Sequence, residues 1–123
     1  YGGTGAVARL PERTTRRMNE LRFGLPTQTL AAIIACLRGH PEIHWASIYG
    51  SRAKGTFQRG ADIDIAFSSP VDCTAHLRAA LDQLPTPYQF DVTHYDSLEH
   101  DGLKAHIDRV GKVFYERRGL GDD

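Results

Sequence analysis

Residues 50–67 read GSRAKGTFQRGADIDIAF. The closing part of this stretch, Asp62-Ile63-Asp64-Ile65-Ala66-Phe67-Ser68, alternates polar and apolar residues and predicts a strand over 62–68. Residues two apart on a strand share a face, about 7 Å from one another. Asp62 and Asp64 therefore point one way, and Ile63, Ile65 and Phe67 point the other, towards a core. Like charges so close destabilise each other unless something neutralises them. A hard divalent cation does this, and Mg²⁺ in particular takes one or two carboxylates together with substrate phosphates.

The opening Gly50-Ser51 follows a short predicted strand, Trp-Ala-Ser-Ile-Tyr over 45–49, and precedes a predicted short helix, Ser51 to Gly55. Glycine lets a backbone approach a ligand closely. The first amides of a helix are unpaired donors at the positive end of a dipole and suit phosphate. The Ser51 hydroxyl adds a donor, and Arg52, Lys54 and Arg59 add positive charge. An anion site beside a metal site suits a nucleoside triphosphate with Mg²⁺. The stretch lacks the Gly-Lys-Ser/Thr end of a P-loop and the three-glycine spacing of a dinucleotide fingerprint.

Working outward, Thr27 is expected to cap a helix with Leu30, Ile33, Ile34 and Leu37 as its stripe, stopped by Gly39 and Pro41. Ser69-Pro70 reads as an N-cap and first-turn proline of a second helix, with Asp72 in its first turn. Its face carries Cys73, Leu77, Leu81 and Leu84, and Pro85 and Pro87 end it. A strand is expected over 88–94, where Phe90 and Val92 face the core and Asp91 faces the other side. If the strands at 62–68 and 88–94 are neighbours, Asp62, Asp64 and Asp91 converge on one patch. Asp96 is the competing acidic residue, and the place of Asp91 inside an alternating strand favours Asp91. A last helix follows Ser97, with Leu103, Ile107 and Val110 as its stripe and Gly111 as its end, and residues 112–116 form a closing strand. The fold class expected is α+β (α/β-like), a small mixed sheet flanked by helices.

The chain has 123 residues, enough for one domain with a substantial core. Hydrophobic content of 41% and charged content of 24% are those of ordinary globular proteins. The formal net charge is zero, so nothing global argues for a nucleic-acid or membrane partner, and direct nucleic-acid binding is not expected. Residues 1–22 carry five Arg and two Glu, net +3, which leaves the rest at −3. Residues 1–24 are read as a flexible basic arm, 25–118 as the folded domain and 119–123 as a disordered tail. No signal-peptide pattern appears, and Cys36 and Cys73 lie in separate helical patterns, which suits reduced thiols in a cytoplasm. The six histidines show no zinc spacing.

Gly50-Ser51, ten residues, then Asp62-x-Asp64 resembles the signature of the polymerase-β-like nucleotidyltransferases. More closely, the chain resembles the minimal nucleotidyltransferases (MNT), the antitoxin half of HEPN/MNT toxin–antitoxin pairs, over about residues 25–116. Ala61 departs from the small polar residue that often precedes the first aspartate. Larger members carry a helical domain that binds the acceptor, and this chain is expected to have no room for one. The resemblance implies a nucleotidyltransferase fold and a Mg-dependent transfer of AMP from ATP to a hydroxyl. It implies catalytic and metal roles for Asp62, Asp64 and Asp91, with two Mg²⁺ ions (or Mn²⁺), and nucleotide contacts from Gly50, Ser51, Arg52 and Lys54. The acceptor it implies is a tyrosine of a partner HEPN toxin. Two rival readings stand beside it. One is a non-catalytic antitoxin acting by binding. The other is a small-molecule (aminoglycoside-type) adenylyltransferase that completes its site as a homo-oligomer.

Overall fold

The structure, a computed structural model, describes residues 22–117. The basic arm and the tail expected at the two ends lie outside the described residues, apart from positions 22–24. Those three form a 3₁₀ turn, Arg22–Gly24, whose Phe23 packs against the core.

Helix α1, Thr27–Arg38, turns Leu30, Ile33 and Leu37 inward at helical spacing. Thr27 is its first residue and not its cap as expected, because Pro26 takes the cap position. The Gly39 amide closes the other end on the carbonyls of Ala35 and Cys36. Strand β1, Trp45–Tyr49, runs directly into a five-residue helix α2, Gly50–Lys54. A loop leads to β2, Ile63–Ser68, which leaves Asp62 just outside the strand.

Helix α3, Thr74–Asp82, starts four residues later than the Ser69-Pro70 signal suggested. The reason lies in what Ser69 does instead. Its amide donates to Asp96 and its hydroxyl to the Val71 carbonyl, so the chain turns tightly there before any helix begins. The Ser69 carbonyl is held by the buried His94 ring at 2.9 Å. A carbonyl only accepts, so Nε2 of His94 carries the proton, and Nδ1 accepts from the Ser97 hydroxyl at 2.8 Å. The helix is opened by Asp72, whose carboxylate accepts the Thr74 amide.

Strand β3 is Phe90–His94, shorter than the expected 88–94. Tyr88 is used otherwise, its ring lying against the Arg52 guanidinium. A 3₁₀ turn, Tyr95–Ser97, ends at Ser97, and the helix expected directly after it does not begin there. Helix α4, Asp101–Val110, begins only when the His100 ring accepts the Leu103 amide. Strand β4, Lys112–Glu116, closes the fold.

The strands lie in the order β3-β2-β1-β4. Strand β1 is antiparallel to β2 and β4, and β3 is parallel to β2. A parallel pair needs a crossover, and α3 supplies it. The sheet is mixed and the class is α+β, as expected. One face packs on α1 and α3 and buries Ile48, Ile63, Ile65, Phe67, Phe90 and Val92 with Ile33, Leu37, Leu77 and Leu81. Each such side chain, fully buried, stabilises the fold by about 1.5–3 kcal/mol. The other face is only partly covered, by α4, whose Ile107 packs with Tyr49 and Ala66. The polar residues of β2 and β3 emerge at the end of that face. Cys36 and Cys73 are free thiols. Among the described residues, no helix is long and apolar enough to cross a membrane.

Candidate active site

Two registers build the site. In the β1–β2 pair Tyr49 stands opposite Asp64, and in the β2–β3 pair Asp64 stands beside Asp91. Tyr49, Asp64 and Asp91 therefore form one row across three strands, on the face opposite Ile48, Ile65 and Val92. Asp62 lies two residues upstream of Asp64, at the mouth of β2. Asp62 and Asp91 are exposed and Asp64 is half-buried. The expected convergence of the three carboxylates on one patch follows from the parallel pairing. Asp96 is not part of it. Its carboxylate takes the Ser68 hydroxyl at 3.0 Å and the Ser69 amide at 3.1 Å.

Burial first, and then the charges of Asp91 and Asp62, push the Asp64 carboxyl up to about 6, against the lowering effect of Arg52. A carboxylate so placed is costly while it is charged and alone. The donor set is all carboxylate, with no thiolate or imidazole, and that chemistry fits Mg²⁺ or Mn²⁺. Among the described residues, no three His, Cys, Asp or Glu side chains close on a common point. The three aspartates lie at one end of the sheet without forming a finished cage.

Gly50 has φ +74, and a Cβ there would stand 2.3 Å from Oδ2 of Asp64. Because β1 ends opposite the start of β2, the residue after Tyr49 must pass over Asp64. Only a residue without a side chain fits, both for its left-handed backbone and for this approach. Ser51 is half-buried in the first turn of α2, and its carbonyl accepts the Thr56 amide at 3.0 Å. Lys54 and Arg59 are exposed on α2 and its following loop.

Arg52 stands apart from the role expected of it. It is 3% exposed, and its guanidinium is committed to backbone carbonyls and not turned to the open face. Nε and Nη2 donate to the Ala61 carbonyl at 3.1 and 2.8 Å, and Nη1 donates to the Phe23 carbonyl at 2.8 Å. Desolvation by this burial lowers its pKa, and the nearby Tyr88, Asp62 and Asp64 oppose that. In this fold its donors are spent on a hold on the loop and not on the open face where a nucleotide contact was expected.

Two residues on the same face were not anticipated. The Tyr49 hydroxyl and Thr93 Oγ1 lie 3.0 Å apart, bridging β1 to β3 across β2. Thr93 is two residues beyond Asp91, so strand alternation alone places it on the carboxylate face. Burial, Asp91 and Asp64 push the Tyr49 hydroxyl up, partly offset by Thr93. The His106 ring of α4 stands edge-on to Tyr49, with centroids 6.1 Å apart. Two cavities, of about 480 Å³ along α1 and β4 and about 190 Å³ between α4 and β1, do not include the carboxylates.

The family model described as "Polymerase beta, Nucleotidyltransferase" matches residues 31–119, and the chain belongs to that family. Among solved structures, the chain is 26% identical to a chain of a toxin–antitoxin crystallised with AMP-PNP. That match covers 72% of this chain and 74% of the other at a TM-score of 0.55. A mutant MntA–HpeT toxin–antitoxin matches at 25% identity over 70% and 71% of the two chains, with a TM-score of 0.51. The Shewanella oneidensis complex of a tri-AMPylated HEPN toxin with MNT antitoxin shares the fold at 21% identity, over 78% and 76%, with a TM-score of 0.51. No curated protein matches.

The raised Asp64 carboxyl fixes the sign of a pH effect. Its folded pKa of about 6 lies above the ordinary 3.8, so its contribution to stability is complete below pH ~4 and lost as pH rises through 6. Without divalent metal, the melting temperature should fall across this window. After allowance for solvent screening of a half-exposed group, the loss is about 1 kcal/mol, or a few degrees. Asp64→Asn should remove this component and be the more stable protein at pH 7. Thermal melts in EDTA from pH 4 to 7 check both. Gly50→Ala should cost about 1–2 kcal/mol from its backbone strain alone, and should disturb divalent-metal binding by displacing Asp64. Urea midpoints and Mn²⁺ titration of that variant check it.

Proposed function

We propose that this chain is a Mg-dependent nucleotidyltransferase that moves AMP from ATP to the hydroxyl of a tyrosine on a partner HEPN toxin, and so acts as an antitoxin in the cytoplasm. The observation that carries the reading is the parallel register that sets Asp64 beside Asp91, with Asp62 two residues upstream. Membership of the nucleotidyltransferase family supports the class of reaction. The similarity to a toxin–antitoxin crystallised with AMP-PNP supports ATP as donor and the toxin as partner.

Asp62, Asp64 and Asp91 would hold the metal, two Mg²⁺ ions or Mn²⁺ in their place. Bound there, the cations supply neutralising charge for the attacking and leaving oxygens. Asp91, the exposed member of the row, accepts the proton of the acceptor hydroxyl. That oxygen forms a bond to the α-phosphorus as the bond from the α-phosphorus to the bridging oxygen of the β-phosphate breaks. Pyrophosphate leaves with the electron pair. Gly50 and Ser51 line the approach of the β- and γ-phosphates, and Lys54 offers a mobile cation beside them. The half-buried Asp64 is the member that gains most from a cation, since its burial and its two acidic neighbours are what raise its pKa. A transferase must also hold the acceptor oxygen about 3–3.5 Å from its target and in line. The aspartates stand on a partly covered sheet face, so the partner chain supplies the acceptor wall.

The test is to incubate the chain with its cognate HEPN protein, ATP and Mg²⁺ and to weigh the partner. The expected result is a mass increase of one or more AMP groups on tyrosine, lost with Asp64→Asn. A stable complex whose partner mass never rises would favour an antitoxin that acts by binding alone. Vigorous transfer to a small-molecule hydroxyl without any partner would favour the antibiotic-type enzyme.

A further inference from the structure

The ten residues between Ser51 and Asp62 contain the last three residues of α2 and the loop that leads to Asp62. Gly55 and Gly60 both have φ of +80, and a Cβ at either would meet nothing within 4 Å. Gly60 stands two residues before Asp62, in a turn closed by the Ala61 amide on the Gln58 carbonyl at 3.0 Å. The chain between them is gripped from one side. The fork of Arg52 places Nε at 3.1 Å and Nη2 at 2.8 Å from the Ala61 carbonyl, which belongs to the peptide joining Ala61 to Asp62. Its remaining arm reaches the Phe23 carbonyl at 2.8 Å. The rings of Phe57 and Tyr88 lie against the guanidinium, with centroids 4.8 and 5.1 Å from Cζ. A planar guanidinium so bonded and stacked is pre-organised, which a lysine ammonium at the same place is not.

We propose that Arg52 is a positioning residue for the metal site: it fixes the peptide that carries Asp62 and leads into Asp64, and touches neither nucleotide nor metal. The proposal rests on the nucleotidyltransferase reading above and deepens it. It changes what the basic residues of the stretch are for. Lys54 and Arg59 remain free to meet phosphate, while Arg52 works through the backbone. It also ties the 3₁₀ turn at Arg22–Gly24 to the site, since one guanidinium joins the Phe23 carbonyl to the Ala61 carbonyl. Outer-shell groups of this kind are worth roughly 10–100-fold in metal affinity.

Arg52→Lys keeps the charge and most of the stem but loses the fork. The probes are Mn²⁺ alone, titrated by electron paramagnetic resonance, and ATP in EDTA, titrated by calorimetry. The expected variant melts cooperatively, binds Mn²⁺ about tenfold or more weakly, and binds metal-free ATP as the wild type does. Amides of residues 61–64 should exchange faster with deuterium. Unchanged Mn²⁺ affinity would overturn the proposal. So would a tenfold loss of metal-free ATP affinity with Mn²⁺ binding intact, since that marks a direct phosphate contact. A wild type that binds neither Mn²⁺ nor ATP would remove the nucleotidyltransferase reading and this proposal together. A wild type that binds both, beside an unaltered Arg52→Lys, would remove only the proposal. If Arg52→Lys does not melt cooperatively, the pair Phe57→Leu and Tyr88→Leu leaves the guanidinium but removes its stacking. That double variant should bind Mn²⁺ severalfold more weakly, and an unchanged affinity would overturn the proposal equally.

Discussion

The parallel pairing of β2 with β3 sets Asp64 beside Asp91. The rest of the molecule is arranged around that juxtaposition. The α3 crossover exists because parallel neighbours cannot be joined by a tight turn. The apolar residues on the opposite face, Ile63, Ile65, Phe90 and Val92, fix the register, since a slip of one residue would turn them outward and the aspartates inward. Core packing thus forces two carboxylates together on neighbouring strands, against their mutual repulsion. The upward push on Asp64 comes from its burial first and from its acidic neighbours second, and a cation bound at the same place would relieve both.

The Gly-Ser and the paired aspartates belong to one geometric unit. Strand β1 ends opposite the residue that starts the carboxylate row, so Gly50 has to cross Asp64 at a distance no side chain allows. The ten residues after Ser51 finish α2 and form a loop that brings the chain back antiparallel. Arg52 then fastens the end of that loop just before Asp62. Tyr49 spans from β1 to Thr93 on β3 beside the aspartates. Glycine, arginine and tyrosine so placed leave the aspartates at the surface on a backbone that is held from both sides.

Much of this was legible in the sequence, because period-two alternation specifies faces. The stretch over 62–68 put Asp62 and Asp64 on one side and the isoleucines on the other, and Asp91 followed by the same rule. Two things were not legible. Strand order is set by the whole core, so the neighbouring of β2 and β3 could only be conditional. The partners of Arg52 are backbone carbonyls of Phe23 and Ala61, and no local pattern marks a carbonyl as a partner. An arginine next to Gly-Ser therefore read as a phosphate ligand, while in the fold it is buried. The start of α3 was misplaced for a similar reason. Ser69 and Pro70 carry the signature of a helix start, but Ser69 is taken up by Asp96, Val71 and His94, the first and last of which are distant in sequence.

In the proposed site a divalent cation would join the carboxylates to the phosphates of a nucleotide, so that each would tighten the binding of the other. Calorimetric titration of ATP into the purified chain, once with Mg²⁺ and once with EDTA, tests this most directly. The expected result is markedly tighter ATP binding with Mg²⁺, and loss of that difference in Asp64→Asn. Equal affinity in the two conditions would contradict it.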